Sequence, residues 1–212
     1  MDEHLLRFDK KKTYVLIDCE TENLCLHSSH NLPWQIGMIK TEGEEKVAEK
    51  DLLVKWDRPI NVSKDAARIT RFDSMKHKRE AVHIDEIFPT VKDWLDKSDY
   101  IIGHNILGFD IYLIKHMYER AGEPYDHLMP KILDTNCIAK GAKLGLNFDS
   151  ETSFLTYQYK MLGIRKRGLK TNLEGLGKEY KIEHDYANLH DAVNDLELNL
   201  KVWNKLKWQV DV

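Results

Sequence analysis

The stretch YVLIDCET, residues 14–21, is the feature that most constrains the fold of this chain. Its first half reads as a buried β-strand, but two acids, Asp18 and Glu20, follow directly. Alternate side chains of a strand share a face, so these carboxylates point the same way, roughly 7 Å apart at their backbones, while Cys19 points the other way. Unpaired charge at the edge of a core is costly, so something must neutralise the two acids.

Length and charge limit the class of protein. The chain has 212 residues, enough for one α/β domain with a substantial core. We predict a single domain over residues 1–212, with an inserted arm at about residues 146–170, where the periodicity is weak. The net charge of −3 argues against a protein that coats nucleic acid through a global basic field, so any binding of phosphates has to be local.

Cysteine usage and the apolar runs bear on the compartment. The three cysteines, Cys19, Cys25 and Cys137, have no C-x-x-C spacing, which favours reduced thiols inside a cell. The opening MDEHLLRFDKKK does not resemble a secretory signal, and no apolar run reaches membrane-spanning length. We therefore expect a cytoplasmic protein without membrane contacts.

The order of strand and helix patterns predicts the architecture. An antiparallel meander is expected from the segments TYVLID, WQIGMIK and KVAEKDLLVKW. After an amphipathic helix in EAVHIDEIFPTVKDWLDK, the short strands DYIIGH and KILDT flank the helix GFDIYLIKHMYERAG, and two more helices close the chain. Such alternation predicts parallel strands. The expected fold is α/β, a mixed five-stranded sheet in which an antiparallel meander is followed by parallel strands, flanked by helices.

Two of these helices carry acids where apolar residues are expected. Asp110 shares a helical stripe with Leu113, Ile114 and Met117. In the last helix, Asp195 lies on the shoulder of the predicted apolar stripe. That stripe comprises Leu189, Val193, Leu196, Leu200 and Trp203. His190 falls on the polar side at the start of the same helix, where it stays exposed.

Convergence of the four acids is the economical explanation. Clustered carboxylates repel one another unless divalent cations share them, and oxygen ligands suit Mg²⁺ or Mn²⁺. A pair of cations roughly 4 Å apart is the arrangement that supports phosphodiester hydrolysis. An imidazole such as that of His190 has an ordinary pKa suited to deprotonating an attacking water.

Each signal also has a simpler interpretation. Taken alone, Asp18 and Glu20 fit a solvated strand end, Asp110 an acid at a helix N-terminus, and His190 a surface histidine. The basic run RKRG at 165–168, with Tyr157 and Tyr159 nearby, fits either a phosphate-binding arm or a solvated loop. A cluster of soft ligands near the first acids matches no zinc template. It comprises Cys19, Cys25, His27 and His30.

Taken in order, three motifs resemble those of the DEDDh-type 3′→5′ exonucleases, within the ribonuclease H-like superfamily. They are DCET, GHNILGFD and HDAVND, and they span residues 18–195. The family includes proofreading exonuclease subunits and oligoribonuclease-type enzymes. The position four residues before Asp195 holds Asp191 instead of tyrosine, which favours the histidine subclass. The resemblance implies a ribonuclease H-like fold.

The resemblance also implies roles for individual residues. Asp18 would bridge two Mg²⁺ ions, which Mn²⁺ can replace, Glu20 and Asp195 would complete the tighter site, and Asp110 would support the second, partly through water. His190 would be the general base. The implied substrate-binding residues are Thr21, Asn23, Leu24, Asn105 and Phe109. Asn23 stands where the family usually has glycine, which we expect to be tolerated because asparagine accepts a left-handed backbone.

The expected function is release of nucleoside monophosphates from the 3′ end of single-stranded DNA by two-metal-ion hydrolysis. The alternatives are an exonuclease that acts on short RNA or RNA 3′ ends, and a non-catalytic nucleic-acid-binding or polymerase-accessory module on the same fold. A polymerase or replication protein is the expected partner besides nucleic acid. Ala67 and Arg68 replace a family His-Gly pair before Ile69 and Thr70, so part of the nucleotide pocket departs from the family pattern.

Overall fold

A six-stranded mixed sheet forms the centre of the protein. The computed structural model describes residues 5–24, 26 and 31–212, and the strand order is β4-β3-β2-β1-β5-β6. The strands are β1 Thr13–Thr21, β2 Pro33–Glu42, β3 Glu45–Lys55, β4 Val82–His83, β5 Tyr100–Gly103 and β6 Ile132–Asp134. Strands β1, β2 and β3 form the predicted antiparallel meander, and β5 and β6 run parallel to β1. The predicted mixed sheet is confirmed, but the predicted number of five strands is wrong, because the two-residue β4 pairs in parallel with β3.

Helices cover both faces of this sheet. They are α1 Lys64–Thr70, α2 Ser74–Glu80, α3 Ile84–Lys97, α4 Asp110–Ala121, α5 Thr135–Leu144, α6 Phe154–Gly163, α7 Leu173–Glu179 and α8 Ala192–Leu206. Short 3-10 helices occupy Ile106–Gly108, Asp126–Lys131 and Tyr186–Asn188. The amphipathic patterns predicted α3, α4 and α8, whereas α1 and α2 lack a continuous apolar stripe and were not predicted. No helix within the described ranges combines the length and hydropathy of a bilayer-spanning segment.

The sheet separates two apolar clusters, which explains the nearly continuous apolar run of β1. Val15 and Ile17 face the cluster that includes residues of α3 and α4. Leu16 faces the second cluster, built with α5, α7 and α8. A strand buried on both faces needs apolar residues at successive positions, so YVLI fits the central position of β1.

The stripe of α8 differs from the predicted one. The buried residues of this helix are Ala192, Leu196, Leu198, Asn199, Val202, Trp203 and Leu206. Leu189 precedes the helix, and Val193 and Leu200 are only partly buried. Asn199 is also buried, although a polar residue does not indicate a core position in the sequence; its side-chain oxygen accepts a hydrogen bond from Thr135 Oγ1 at 2.8 Å.

The segment predicted as an arm, residues 146–170, contains helix α6. Gln158 in this helix is fully buried, and its side chain accepts a hydrogen bond from the Asp134 amide at 2.6 Å and donates one to Ile132 O at 2.9 Å. The Tyr157 hydroxyl donates to Leu146 O, so this ring packs inward, while Tyr159 is exposed beside the basic run. Helix α6 therefore protects the edge of the sheet at β6.

Candidate active site

Strand β1 brings the first two acids to one edge of the sheet. Asp18 lies opposite Gly37 of β2, Glu20 lies opposite Gln35, and the register shifts after Glu20. Strands β5 and β6 run parallel to β1, so their carboxyl ends lie at the same edge. The acids predicted from YVLIDCET therefore lie where the sheet opens to solvent.

Helix α8 delivers Asp195 because it packs unusually close to β2. A Cβ atom at Gly37 would lie 2.9 Å from Ala192 Cβ, so the absence of a side chain there is required for this approach. Asp191 caps the helix by accepting a hydrogen bond from the Asn194 amide at 3.1 Å. Asp195, in the first turn of the helix, is thereby held next to Asp18.

Three of the four predicted acids meet directly. One carboxylate oxygen from each of Asp18, Glu20 and Asp195 lies within 4.8 Å of the others, and all three side chains are partly buried. Among the residues that the structure describes, no lysine or arginine forms an ion pair with any of them. Three oxygen donors without a counter-charge fit a hard divalent cation, so the donor set suits the metal that the motifs imply.

The fourth acid, Asp110, approaches from the other face of the sheet. It is buried at the N-terminus of α4, and its Oδ1 accepts a hydrogen bond from the Cys19 amide at 3.0 Å. Asp110 does not belong to the triad of ligand atoms, but its charge raises the pKa of both Asp18 and Glu20. Cys19 packs away from Asp18 and Glu20, as predicted, yet its backbone amide contacts the fourth acid.

Burial is the largest cause that raises the pKa values of all four acids, and neighbouring carboxylates add to it. Burial, and then the charges of Asp110 and Glu20, raise the pKa of Asp18 well above its ordinary value. Burial, followed by Asp195, raises the pKa of Glu20 to about 8. Burial raises the pKa of Asp110 to about 7 and that of Asp195 to about 6, against the hydrogen bond from the His190 amide. A bound cation would favour the ionised form of these carboxylates.

His190 lies beside this cluster on an exposed loop. It precedes α8 by two residues, adopts a left-handed backbone with φ 69°, and donates its backbone N–H to Asp195 Oδ1 at 3.1 Å. Within the described part of the chain, no residue hydrogen-bonds to its imidazole. The ring is therefore free to meet a substrate or a water molecule.

The turn after β1 places the next predicted residues. Thr21 is buried and donates its hydroxyl to Asn23 O at 2.6 Å, whereas the Leu24 side chain is 52% exposed. Asn23 does not adopt the left-handed backbone that asparagine would tolerate: outside glycine, the described residues with positive φ are Arg71, Asn105, Lys181 and His190. Asn23 is instead held by the side chain of Asn31, which accepts from its amide and donates to its carbonyl, both at 3.0 Å.

Glu22, in the same turn, was not predicted. Its buried carboxylate accepts hydrogen bonds from Arg58 at 2.7 and 2.5 Å and from the Asn61 amide at 2.5 Å. Burial opposes ionisation of this group, but the bonds from Arg58 and Asn61 leave its pKa below the ordinary value. This ion pair fixes the turn that carries Thr21, Asn23 and Leu24. Arg58 lies 36 residues from Glu22 in the sequence, so no local pattern indicates that the two residues pair.

Asn105 and Phe109 lie in the segment just before α4, whose first residue is Asp110. The predicted pair lies in a segment anchored by Asp134, whose carboxylate accepts from the amides of Asn105 at 3.0 Å and Leu107 at 3.1 Å. Asn105 adopts a left-handed backbone, and Phe109 packs partly buried against the core. Asp134 ends the strand predicted from KILDT, and its carboxylate anchors this segment.

The structure describes the basic run but not most of the soft-ligand cluster. Cys25, His27 and His30 lie outside the residues that the structure describes. The residues of RKRG at 165–168 are all exposed.

A family model and several solved structures match this arrangement. The model of the RNase_T exonuclease family matches residues 15–203, which include all four acids and His190. The chain belongs to this exonuclease family. Its membership confirms the resemblance to DEDDh-type exonucleases, a family that depends on divalent metals. No curated protein matches the chain significantly.

The similar solved structures include several of E. coli Exonuclease I. The structure with a dT13 oligonucleotide is 18% identical with a TM-score of 0.71, and covers 93% of this chain and 41% of that chain. The structure with a dA16 oligonucleotide is 18% identical with a TM-score of 0.73, and covers 94% and 41%. A structure of SSB/Exonuclease I with the inhibitor CFAM is 17% identical with a TM-score of 0.68, and covers 92% and 41%. The exonuclease family member described here thus spans about two fifths of their length and shares their fold.

Proposed function

We propose that this protein is a metal-dependent 3′→5′ exonuclease that releases nucleoside monophosphates from single-stranded DNA. The observation that carries the proposal is the cluster of Asp18, Glu20 and Asp195, whose ligand atoms lie within 4.8 Å at an open sheet edge beside His190. Uncompensated carboxylates at such an edge serve no packing purpose, since an unpaired buried charge destabilises the fold. A catalytic metal site accounts for their presence in an exonuclease family member.

The proposed cofactor is a pair of Mg²⁺ ions, with Mn²⁺ as a substitute. Asp18, Glu20 and Asp195 would hold one ion, and Asp18 with Asp110 would hold the other, partly through water. Bound divalent cations neutralise the carboxylates and stabilise negative charge on phosphate oxygens. Asp110 is the most buried of the four acids, which fits a supporting role.

His190 is the proposed general base. Water attacks the phosphorus of the last phosphodiester and its proton passes to the imidazole, while the bond to the 3′ oxygen of the preceding nucleotide breaks and that oxygen takes up a proton. Exposure of His190 and the absence of hydrogen bonds to its ring from described residues suit this role. Leu24 is the proposed apolar contact for the terminal base, because its side chain is 52% exposed next to the site. Thr21, Asn23, Asn105 and Phe109 are the proposed further contacts to the nucleotide.

The proposed substrate is single-stranded DNA. E. coli Exonuclease I, which shares the fold, has been crystallised with dT13 and dA16 oligonucleotides. One structure of that protein also includes SSB, which favours replication proteins as the partner class to test. Matched DNA and RNA oligonucleotides distinguish this proposal from an exoribonuclease.

The test is a cleavage assay on 5′-labelled single strands of DNA and RNA with Mg²⁺. We expect a ladder that shortens from the 3′ end of DNA, that disappears with EDTA, and that is absent for Asp18→Ala. His190→Ala should be slowed by a factor on the order of 10²–10⁴, the usual size of a lost general base, because the acids stay in place. Full activity of Asp18→Ala would overturn the proposal. A ladder on RNA alone would show that the substrate is RNA and not DNA.

A further inference from the structure

The loop that carries His190 is hydrogen-bonded to a distant part of the chain by one arginine. Arg71 Nη1 donates to Asn188 Oδ1 at 2.7 Å, and Arg71 Nη2 donates to Ala187 O. Among the hydrogen bonds that the structure describes, these two alone join residues 185–191 to a residue outside 182–195. Arg71 therefore adds the longer-range hydrogen bonds of this loop to the apolar packing of Tyr186 and Leu189.

The backbone at Arg71 is defined by the end of helix α1 and by the packing of the next residue. It ends helix α1 in a left-handed conformation, φ 55° and ψ 35°, which glycine adopts more readily than arginine. The next residue, Phe72, donates its amide to Ala67 O and places its ring 4.9 Å from that of Trp34 and 5.4 Å from that of His77. A non-glycine residue is disfavoured in this conformation. The presence of arginine therefore indicates that its side chain has a role besides ending the helix.

A cleft of about 400 Å³ lies between the two regions that Arg71 joins. Its lining includes Trp34, Thr70 and Arg71 on one side and Asn188, His190 and Asp191 on the other. The imidazole of His190 has no hydrogen-bond partner among the described residues, so its approach to the acids is set by the backbone of its loop. Arg71 spans the cleft and bonds to Ala187 and Asn188, just before His190, whose own amide is held by Asp195.

We propose that Arg71 is a positioning residue, which holds the loop so that the His190 imidazole reaches the water that attacks the phosphate. This inference rests on the proposed exonuclease function. Both acceptors are neutral. The planar guanidinium donates the two hydrogen bonds in a fixed geometry that the single ammonium group of lysine cannot reproduce. Arg71 thus acts through His190, without itself contacting the reacting atoms.

The experiment measures kcat and KM for Arg71→Met, alone and in a His190→Ala background. We expect kcat to fall on the order of 10- to 100-fold with KM and the melting temperature unchanged, since a small displacement of a catalytic group has effects of this size. In the His190→Ala background, Arg71→Met should cause no further loss. Arg71→Lys should recover part of kcat. Arg79→Met is the matched control, because Arg79 is an exposed arginine on α2 that pairs with its neighbour Glu80.

A second readout is independent of activity. Amide hydrogen exchange of residues 186–190 should accelerate in Arg71→Met and stay unchanged in Arg79→Met. Unchanged exchange and unchanged kcat in Arg71→Met would overturn the inference, as would a rise in KM alone or a full additional loss in the His190→Ala background, both of which indicate direct substrate contact. A wild-type protein without activity on DNA or RNA would instead overturn the proposed function, and the exchange rates would still test whether Arg71 holds the loop.

Discussion

Glu20 and Glu22 are separated by one residue, yet their surroundings differ completely. Glu20 lies among acids, with burial and then Asp195 raising its pKa to about 8. Glu22 is also buried, but its hydrogen bonds from Arg58 and two backbone amides leave its pKa below the ordinary value. Burial is common to both, so the partners decide the outcome. The carboxylate of Glu22, paired with Arg58, fixes the turn. The carboxylate of Glu20 has no cationic partner among the residues described and remains available for a metal cation.

The largest difference is expected between two matched substitutions. Glu20→Gln should reduce cleavage to background, because it removes a proposed metal ligand, while unfolding in EDTA becomes no easier since one repelling charge is gone. Glu22→Gln should leave the metal ligands intact but lower the free energy of unfolding by about 1–3 kcal/mol, the cost of weakening charged hydrogen bonds of a buried group. Urea denaturation and the cleavage assay check both. Equal effects of the two variants on activity would contradict the distinction between Glu20 as a metal ligand and Glu22 as a structural residue.

The second prediction concerns the close contact that brings Asp195 to Glu20. Gly37→Val should push α8 away from β2, because even the first added carbon would lie 2.9 Å from Ala192 Cβ. We expect a loss of about 1–3 kcal/mol in stability, as for other overpacked cores, with a loss of activity much larger than that of Glu22→Gln. Circular dichroism and cleavage rates on the same samples check this. Wild-type cleavage by a folded Gly37→Val protein would show that the close packing of α8 is not needed.

The smallest expected effect is a difference in pH dependence without metal. Acids such as Glu20 have folded pKa values above their unfolded ones, so the folded state binds extra protons and its stability falls as pH rises from about 4.5 to about 8. Glu22 has the opposite shift, so its contribution to stability is lost only as pH falls below its ordinary pKa of 4.5. Melting curves in EDTA should therefore show a decline towards pH 8 that is weaker in Glu20→Gln. An equal decline in both proteins would contradict this assignment.

The same contrast shows what could be predicted from the sequence. Asp18 and Glu20 follow from two acids ending an apolar strand, and Asp110 and Asp195 from acids on apolar helix faces, because each breaks a local periodicity. The pair of Glu22 and Arg58 leaves no such trace, since its members are 36 residues apart and charged residues are ordinary in turns. Likewise, the contact of Gly37 with Ala192 and the anchoring of the His190 loop by Arg71 depend on tertiary packing.

Architecture was predictable for a similar reason. The meander and the helices α3, α4 and α8 follow from periodic apolar patterns in the sequence, although α8 buries a different set of residues from the predicted stripe. The two-residue strand β4 is too short to produce a pattern, and α1 and α2 are short helices with few buried residues. Their positions are set by contacts such as those of Phe72 with Trp34 and His77.

The most direct measurement is a calorimetric titration of Mn²⁺ into the wild-type protein, Asp18→Ala and Glu22→Gln. The central claim is that the charge missing around Asp18, Glu20 and Asp195 is supplied by divalent cations. We predict that the wild type and Glu22→Gln bind Mn²⁺ and that Asp18→Ala does not. Binding of Mn²⁺ by Asp18→Ala with wild-type affinity would contradict the account.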